Sequence, residues 1–317
     1  MIIYDSKKWL WFFATLFKTY KYSYNIRQLM RLITGSAIYA IVSTLFIIHY
    51  LKDAYVIDTV FFSLIGVILS LFLVFRLNSG YERWWQGREA WGKLVNDSRN
   101  LALQLDSIVP AKEATRRAYF GRHISNFCTS LVWHLRDDMK SANYILNEEA
   151  GEKHDDIASF RHQPNKVASL LYKEIEAMHV EKKITDFDKN QSKSLVEGFI
   201  DVLGICERIK KTPIPFSHNA FIKIFILIYI LILPFGLANS FEYLTIPAVL
   251  VMAFAMLGIE VISEEIENPF GLDANDLPTG QLADTIRNDV YEILDVKHEM
   301  GYLAQRKVIL KEAEILH

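Results

Sequence analysis

Cysteine is nearly absent: Cys128 and Cys206 are the only two in 317 residues. They match no CxxC or zinc spacing and give no disulfide framework. Both fall in charge-rich helical stretches, where buried free thiols are expected. Net charge is nearly absent too, at -2. No basic run suited to tracking phosphates occurs, so nucleic acid is not an expected partner. Enzyme signatures are missing: there is no GxGxxG, P-loop, HExxH or GxSxG motif. The nine histidines are scattered, and no pair falls on one predicted helix face beside a carboxylate. His154 beside Asp155 and Asp156 lies in a polar linker and reads as solvated, as do the carboxylates spread over helix faces. The expectation is a protein that is not an enzyme. No A-x-A-like cleavage site follows the N-terminal "KKWLWFFATLFK". Its "WLWFFATLF" is too short to span a bilayer and reads as a segment lying along the interface.

What the chain does have is apolar residues gathered into runs. Mean hydropathy is +0.13 although 23% of residues are charged. Four runs are near the roughly 20 residues a membrane-crossing helix needs: Leu32 to Leu51, Ile57 to Phe75, Ala220 to Leu237 and Thr245 to Ser263. "KDAYV" joins the first two and "ANSFEY" the last two, so they predict two helical hairpins. Lys7, Lys8, Lys18, Lys21, Arg27 and Arg31 precede the first run. Arg76, Arg83, Arg88 and Lys93 follow the second, and Lys210, Lys211 and Lys223 surround the start of the third. The hairpin tips carry only Lys52. The positive-inside rule places both termini and the middle region in the cytoplasm of a multi-pass protein of the cell membrane.

The middle region is helical by pattern. Trp84, Trp91, Leu94, Ser98, Leu101, Leu105 and Ile108 recur at three and four, in phase with a helix running straight on from the second span. Tyr119 to Met139, "NKVASLLYKEIEAMHV" and "SKSLVEGFIDVLGICERIK" predict three more helices, "GEKHDDIASFRHQPN" a linker, and about Gly280 to Glu312 a long tail helix. No strand-like alternation and no internal repeat occurs. The fold class is therefore an all-α membrane protein, with two transmembrane hairpins continuous with a cytoplasmic helical bundle. The divisions are 1–31 cytoplasmic and interfacial, 32–77 first hairpin, 78–216 cytoplasmic helices, 217–263 second hairpin, and 264–317 acidic loop and tail helix. The whole reads as one cooperative unit.

At about 100° per residue, Ser63, Val67, Ser70, Leu71, Val74, Phe75 and Asn78 share one face of the second span, with Ile65, Phe72 and Arg76 opposite. The shared face holds the small hydroxyls and an amide. Two readings fit it: packing on another helix through small polar residues, or lining a water-filled path. Trp84 and Trp85 stand where indoles anchor helices at the membrane surface. After the fourth span, "ENPFGLDANDLP" ends the helix and offers Asn268, Asp273 and Asp276 as hard-oxygen ligands suited to Ca²⁺. The competing reading is a turn, with Asp276 capping the tail helix.

"LVFRLNSGYERWW" after the second span, "WGKLVNDSRN", "KKTPIPFSH" before the third and "ENPFGLDANDLP" after the fourth resemble the prokaryotic branch of the bestrophin family, over essentially the whole chain. The resemblance implies a homopentameric ion channel with one central pore in the lipid bilayer. It implies a narrow apolar neck at Val67, Leu71 and Phe75, with Ser63, Ser70, Val74 and Asn78 also lining the pore; Val74 stands where animal members have Gly. It turns the face of the second span from packing toward the pore. A cytosolic aperture is implied near Leu195. Asn268, Asp273 and Asp276 match a calcium clasp, with Glu265 where Gln is usual. No cofactor is required, and Ca²⁺ is the candidate ligand. The permeant partners are small monovalent ions, either chloride or sodium and potassium, since no Lys or Arg faces the implied neck. The competing function is a membrane-anchored scaffold or sensor whose cytoplasmic bundle binds a partner.

Overall fold

The computed structural model describes residues 24–51, 59–146, 153–273 and 275–296. The expected interfacial segment, the first hairpin tip with Lys52 and the far end of the tail lie outside the described residues. Among the described residues there is no strand. The helices are α1 (Tyr24–Tyr50), α2 (Thr59–Ile108), α3 (Ala114–Leu135), α4 (Asp155–Ala158), α5 (Gln163–Val180), α6 (Asp186–Lys211), α7 (Phe216–Phe241), α8 (Thr245–Glu267) and α9 (Thr279–Ile293). They fall into two compact units. One holds α1, the start of α2 up to Trp84, α7 and α8. The other holds the rest of α2, α3 to α6 and α9.

The first unit is built for a bilayer. A medium without water forces every backbone amide into an internal hydrogen bond, which helices satisfy. α1, α7 and α8 have 27, 26 and 23 residues. At 1.5 Å per residue each exceeds the ~30 Å hydrocarbon core. α1, α2 and the α7–α8 stretch are long and apolar enough to cross. α7 and α8 are joined only by the 3₁₀ turn Glu242–Leu244 and pack on each other and on α1. The chain reverses at Glu242, whose φ of 44° is in the left-handed region. The core holds Phe62, Leu69 and Leu73 of α2 with Tyr229 and Leu233 of α7 and Val249 of α8. Two glycines allow this closeness. A Cβ at Gly236 would overlap the Phe62 ring, and one at Gly80 would stand 2.9 Å from the Ser263 carbonyl oxygen.

In the second unit α3 packs against α5, α6 and α9, and α5 against α6. Local sequence sets the helix starts. Thr185 and Asp188 form a capping box on α6, the Thr185 hydroxyl accepting from the Asp188 N–H at 3.2 Å. His162 caps α5, with Pro164 in its first turn. Cys128 and Cys206 are free and buried, and burial pushes both thiols up to about 12.

Two helices end earlier than their sequence pattern predicts. α3 stops at Leu135 rather than reaching Met139, and α9 stops at Ile293. At the first end, Asp138 N–H donates to Trp133 O and Asp137 N–H to His134 O; at the second, Val296 N–H donates to Tyr291 O and Asp295 N–H to Glu292 O. These are Schellman closures, with Asp137 at φ 56° and Asp295 at φ 53° in the position where glycine is usual. Lys182, at φ 59°, closes α5 the same way.

Candidate pore-lining face

The transmembrane part of α2 has two unlike sides. Phe62, Leu69, Leu73 and Arg76 form a stripe at 4%, 0%, 2% and 0% exposure. Ile65 and Phe72 flank it, half-buried. The other side carries Ser63, Val67, Ser70, Leu71, Val74, Phe75 and Asn78, all exposed. Val67, Leu71 and Phe75 are 67%, 55% and 56% exposed. Packing within the chain therefore takes the side opposite the small polar residues. Ser70 Oγ satisfies itself on Val67 O at 2.8 Å, as Ser79 does on Phe75 O at 2.9 Å.

A buried charge sets this rotation. Arg76 Nη2 donates to Glu267 Oε2 at 2.7 Å, and Arg76 Nε lies 3.6 Å from Glu260 Oε2. Glu267 Oε1 accepts the Ile214 N–H at 3.0 Å, and its carbonyl accepts Arg83 Nε at 2.9 Å. Beside them Lys223 holds Glu264 with two contacts of 2.9 Å. A guanidinium in an apolar setting is tolerated only with its counter-charges. Turning α2 by even one residue, about 100°, would pull Arg76 off both carboxylates. The arginine thus faces away from Val67, Leu71 and Phe75, which leaves that face without fixed positive charge.

At the end of this stretch the Trp84 indole donates to Asn275 O at 3.1 Å, and that of Trp85 to Glu89 Oε1 at 2.9 Å. In the second unit Leu195 is half-buried on α6, beside buried Ser192 and Val196.

The loop after α8 closes on itself. Asp273 N–H donates to Asp276 Oδ2 at 2.6 Å, and Asp276 N–H to Asp273 O at 3.2 Å. Asp276 does not cap the tail helix: α9 begins after Pro278 with no side-chain cap. Proline at the cap position and the turn back to Asp273 take its place. Asp276 Oδ1 is buried with no hydrogen-bond partner. A Cβ at Gly271 would lie 2.7 Å from Asp276 Oδ2 and 3.8 Å from Asn268 Nδ2, so both side chains border one small cradle. Glu265 Oε1 accepts the Asn275 backbone and side-chain N–H at 3.3 and 3.1 Å. Burial pushes the Asp276 carboxyl up to about 7. The Asp273 N–H opposes this, and the charges of Asp273 and Glu265 add to it. Asp273 and Asn268 themselves are exposed.

Two groupings escape sequence reasoning. Arg76 reads there as one more positive charge following a span, because Glu267 lies 191 residues away. His134, His162 and Glu207, from α3, the cap of α5 and α6, converge in the second unit. They are 73 and 45 residues apart along the chain, and no local spacing signals them.

Helices long and apolar enough to cross a bilayer, one exposed apolar side bearing hydroxyls, and a buried arginine on the α8 carboxylates define a helical membrane protein. The family model described as Bacterial/Fungal Bestrophin protein matches residues 5–292, and the chain belongs to the bestrophin family. A relative from Synechocystis sp., named voltage-dependent anion channel-forming protein sll1024, is 34% identical over 73% of this chain and 76% of its own. One from Mesorhizobium japonicum with the same style of name, mll4386, is 31% identical over 85% and 86%. The crystal structure of a substituted bacterial bestrophin homologue from Klebsiella pneumoniae superposes with a TM-score of 0.76. It is 26% identical and covers 84% of this chain and 98% of that one.

Proposed function

We propose that this bestrophin is one subunit of a homopentameric channel of the cell membrane, with both termini cytoplasmic. Small monovalent ions pass along the exposed face of α2. The observation that carries this is the mixed character of that face. Ser63, Ser70 and Asn78 lie among Val67, Leu71 and Phe75, all exposed while the opposite side is buried. Lipid tails offer nothing to the Asn78 amide, whereas a water path bounded by symmetric copies does. One chain has too few helices to enclose such a path, so copies around an axis are needed. Val67, Leu71 and Phe75 form the neck, with rings about 6 Å apart along the pore. Apolar rings hold water poorly and gate by dewetting. Val74 completes the lining, and Leu195 is the candidate aperture on α6. The relatives are named for anions, and the ions that pass are anions, with the neck contributing no charge of its own.

The test is bilayer recording of purified protein. Replacing Val67, Leu71 and Phe75 together by alanine should raise conductance or open probability. Ile65→Ala with Phe72→Ala, on the packed side, should alter stability and not flux. Equal effects from both variants would overturn the assignment of the face. Native mass spectrometry should give five chains, and reversal potentials in a salt gradient should follow the anion.

Calcium binding at Asn268, Asp273 and Asp276 is part of the same proposal. The donors are hard oxygens, and the buried, unpartnered Asp276 Oδ1 supports it. A bound cation would satisfy that oxygen and offset the repulsion among Asp273, Asp276 and Glu265. Calcium should raise the thermal midpoint of the wild type and not of Asp273→Ala with Asp276→Ala. A wild type indifferent to calcium would leave the loop as a closed turn.

A further inference from the structure

We propose that His134, His162 and Glu207 form a binding site for a transition-metal ion of the Zn²⁺ class in the second unit. One ligand atom from each lies within 4.8 Å of the others. His134 Nε2 is 2.6 Å, and His162 Nε2 3.2 Å, from the same oxygen, Glu207 Oε1. The two rings lie 4.7 Å apart at 39°, both turned toward that atom. Zinc at about 2.0–2.1 Å from N and O donors keeps tetrahedral ligands roughly 3.3–3.4 Å apart. Bringing the two nitrogens from 2.6 and 3.2 Å off Glu207 Oε1 to that separation takes under about 1 Å at each ring. Two imidazoles and one carboxylate suit Zn²⁺, Ni²⁺ or Cu²⁺, whereas Ca²⁺ and Mg²⁺ take oxygen ligands throughout. Three protein ligands leave a fourth position. The side chains are 17%, 33% and 22% exposed, so that position has a way in from solvent.

The groups that compete with a metal are few. Lys211 Nζ sits 2.9 Å from Glu207 Oε1. Its side chain is 63% exposed, so the ammonium can withdraw into water. His162 Nδ1 accepts the Asn165 N–H at 3.4 Å, a long bond. A metal on Nε2 moves the ring proton to Nδ1 and releases this cap. In return the ion ties the end of α3 and the start of α5 to α6. This site stands independently of the channel reading, because its test measures metal rather than ion flux.

The full-length protein in detergent, stripped by chelator, is titrated with Zn²⁺ by calorimetry and thermal melting. The expected result is one zinc per chain and a raised melting midpoint. His134→Ala and His162→Asn should each weaken binding by at least about a hundredfold, beyond the usual loss from an outer-shell partner. His162→Asn keeps an oxygen that can cap α5, so it tests the ligand with the helix start preserved. Lys211→Ala keeps all three ligands and should bind as tightly or more so. With Co²⁺, the unsubstituted protein should show intense tetrahedral bands that zinc displaces. Absence of zinc uptake, weak octahedral Co²⁺ bands, or affinity in His134→Ala and His162→Asn unchanged from the unsubstituted protein would each overturn the site.

Discussion

Replacing Arg76 by leucine tests whether buried charge sets the rotation of α2. Arg76 is wholly buried, 2.7 Å from Glu267 and 3.6 Å from Glu260. With an effective dielectric of ~20, those separations correspond to gross attractions of about 6 and about 5 kcal/mol. Much of this only repays desolvation. The relevant quantity is the cost of leaving the partners buried without their counter-charge, about 3–5 kcal/mol. Arg76→Leu should therefore lower stability by that amount in thermal or denaturant unfolding in detergent. The two glutamates should rank. Glu267 also holds the Ile214 N–H, while neither oxygen of Glu260 has a hydrogen-bond partner. Glu267→Gln should then cost more than Glu260→Gln. An Arg76→Leu protein within about 1 kcal/mol of wild type would refute the argument, since removing one member of a buried pair costs more than that. So would the reverse ranking.

Three further outcomes follow from packing, backbone and protonation. Gly80→Ala gains about 1 kcal/mol of helix propensity, but its Cβ meets the Ser263 carbonyl at 2.9 Å and Ile266 Cγ1 at 3.1 Å. Overpacking of about 1–3 kcal/mol should leave a net loss near 1 kcal/mol, read from the unfolding midpoint. Lys182→Gly, at an exposed left-handed position, should stabilise by about 1 kcal/mol; no gain would refute the Schellman assignment. Asp276, raised to about 7 in the fold, stays protonated there across a range where the unfolded chain, near pH 4, has already ionised. The folded state binds the extra proton, so stability falls as pH rises from about 4 to about 7. Asp276→Asn should remove that decline in a pH series of melting curves taken without calcium.

The helices legible in the sequence are those whose cues are local. The apolar runs reappear as α1, α2, α7 and α8, because span length depends only on consecutive side chains. The stripe from Trp84 to Ile108 reappears as the continuation of α2, since no breaker interrupts it. Helix ends were less legible. Asp137 and Asp295 stop α3 and α9 by adopting left-handed φ, a conformation that their residue types permit but do not announce. Asp276 shows the limit at the loop. Its position suggested a helix cap, but the carboxylate turns back to the Asp273 N–H.

Sequence alone determined the all-helical class, the apolar spans and, through "LVFRLNSGYERWW" and "ENPFGLDANDLP", the family resemblance, because these are carried by neighbouring residues. It also placed Val67, Leu71 and Phe75 on one helical face, since that follows from a period of 3.6. Only the tertiary structure decided which face of α2 remains open. The span is apolar all round, and apolar residues suit lipid, core and pore alike. The choice came from contacts across the chain: Arg76 on Glu260 and Glu267, Phe62 against Gly236, Gly80 against Ser263. The meeting of His134, His162 and Glu207 was likewise decided by folding, because three side chains on separate helices share a place only once α3, α5 and α6 pack.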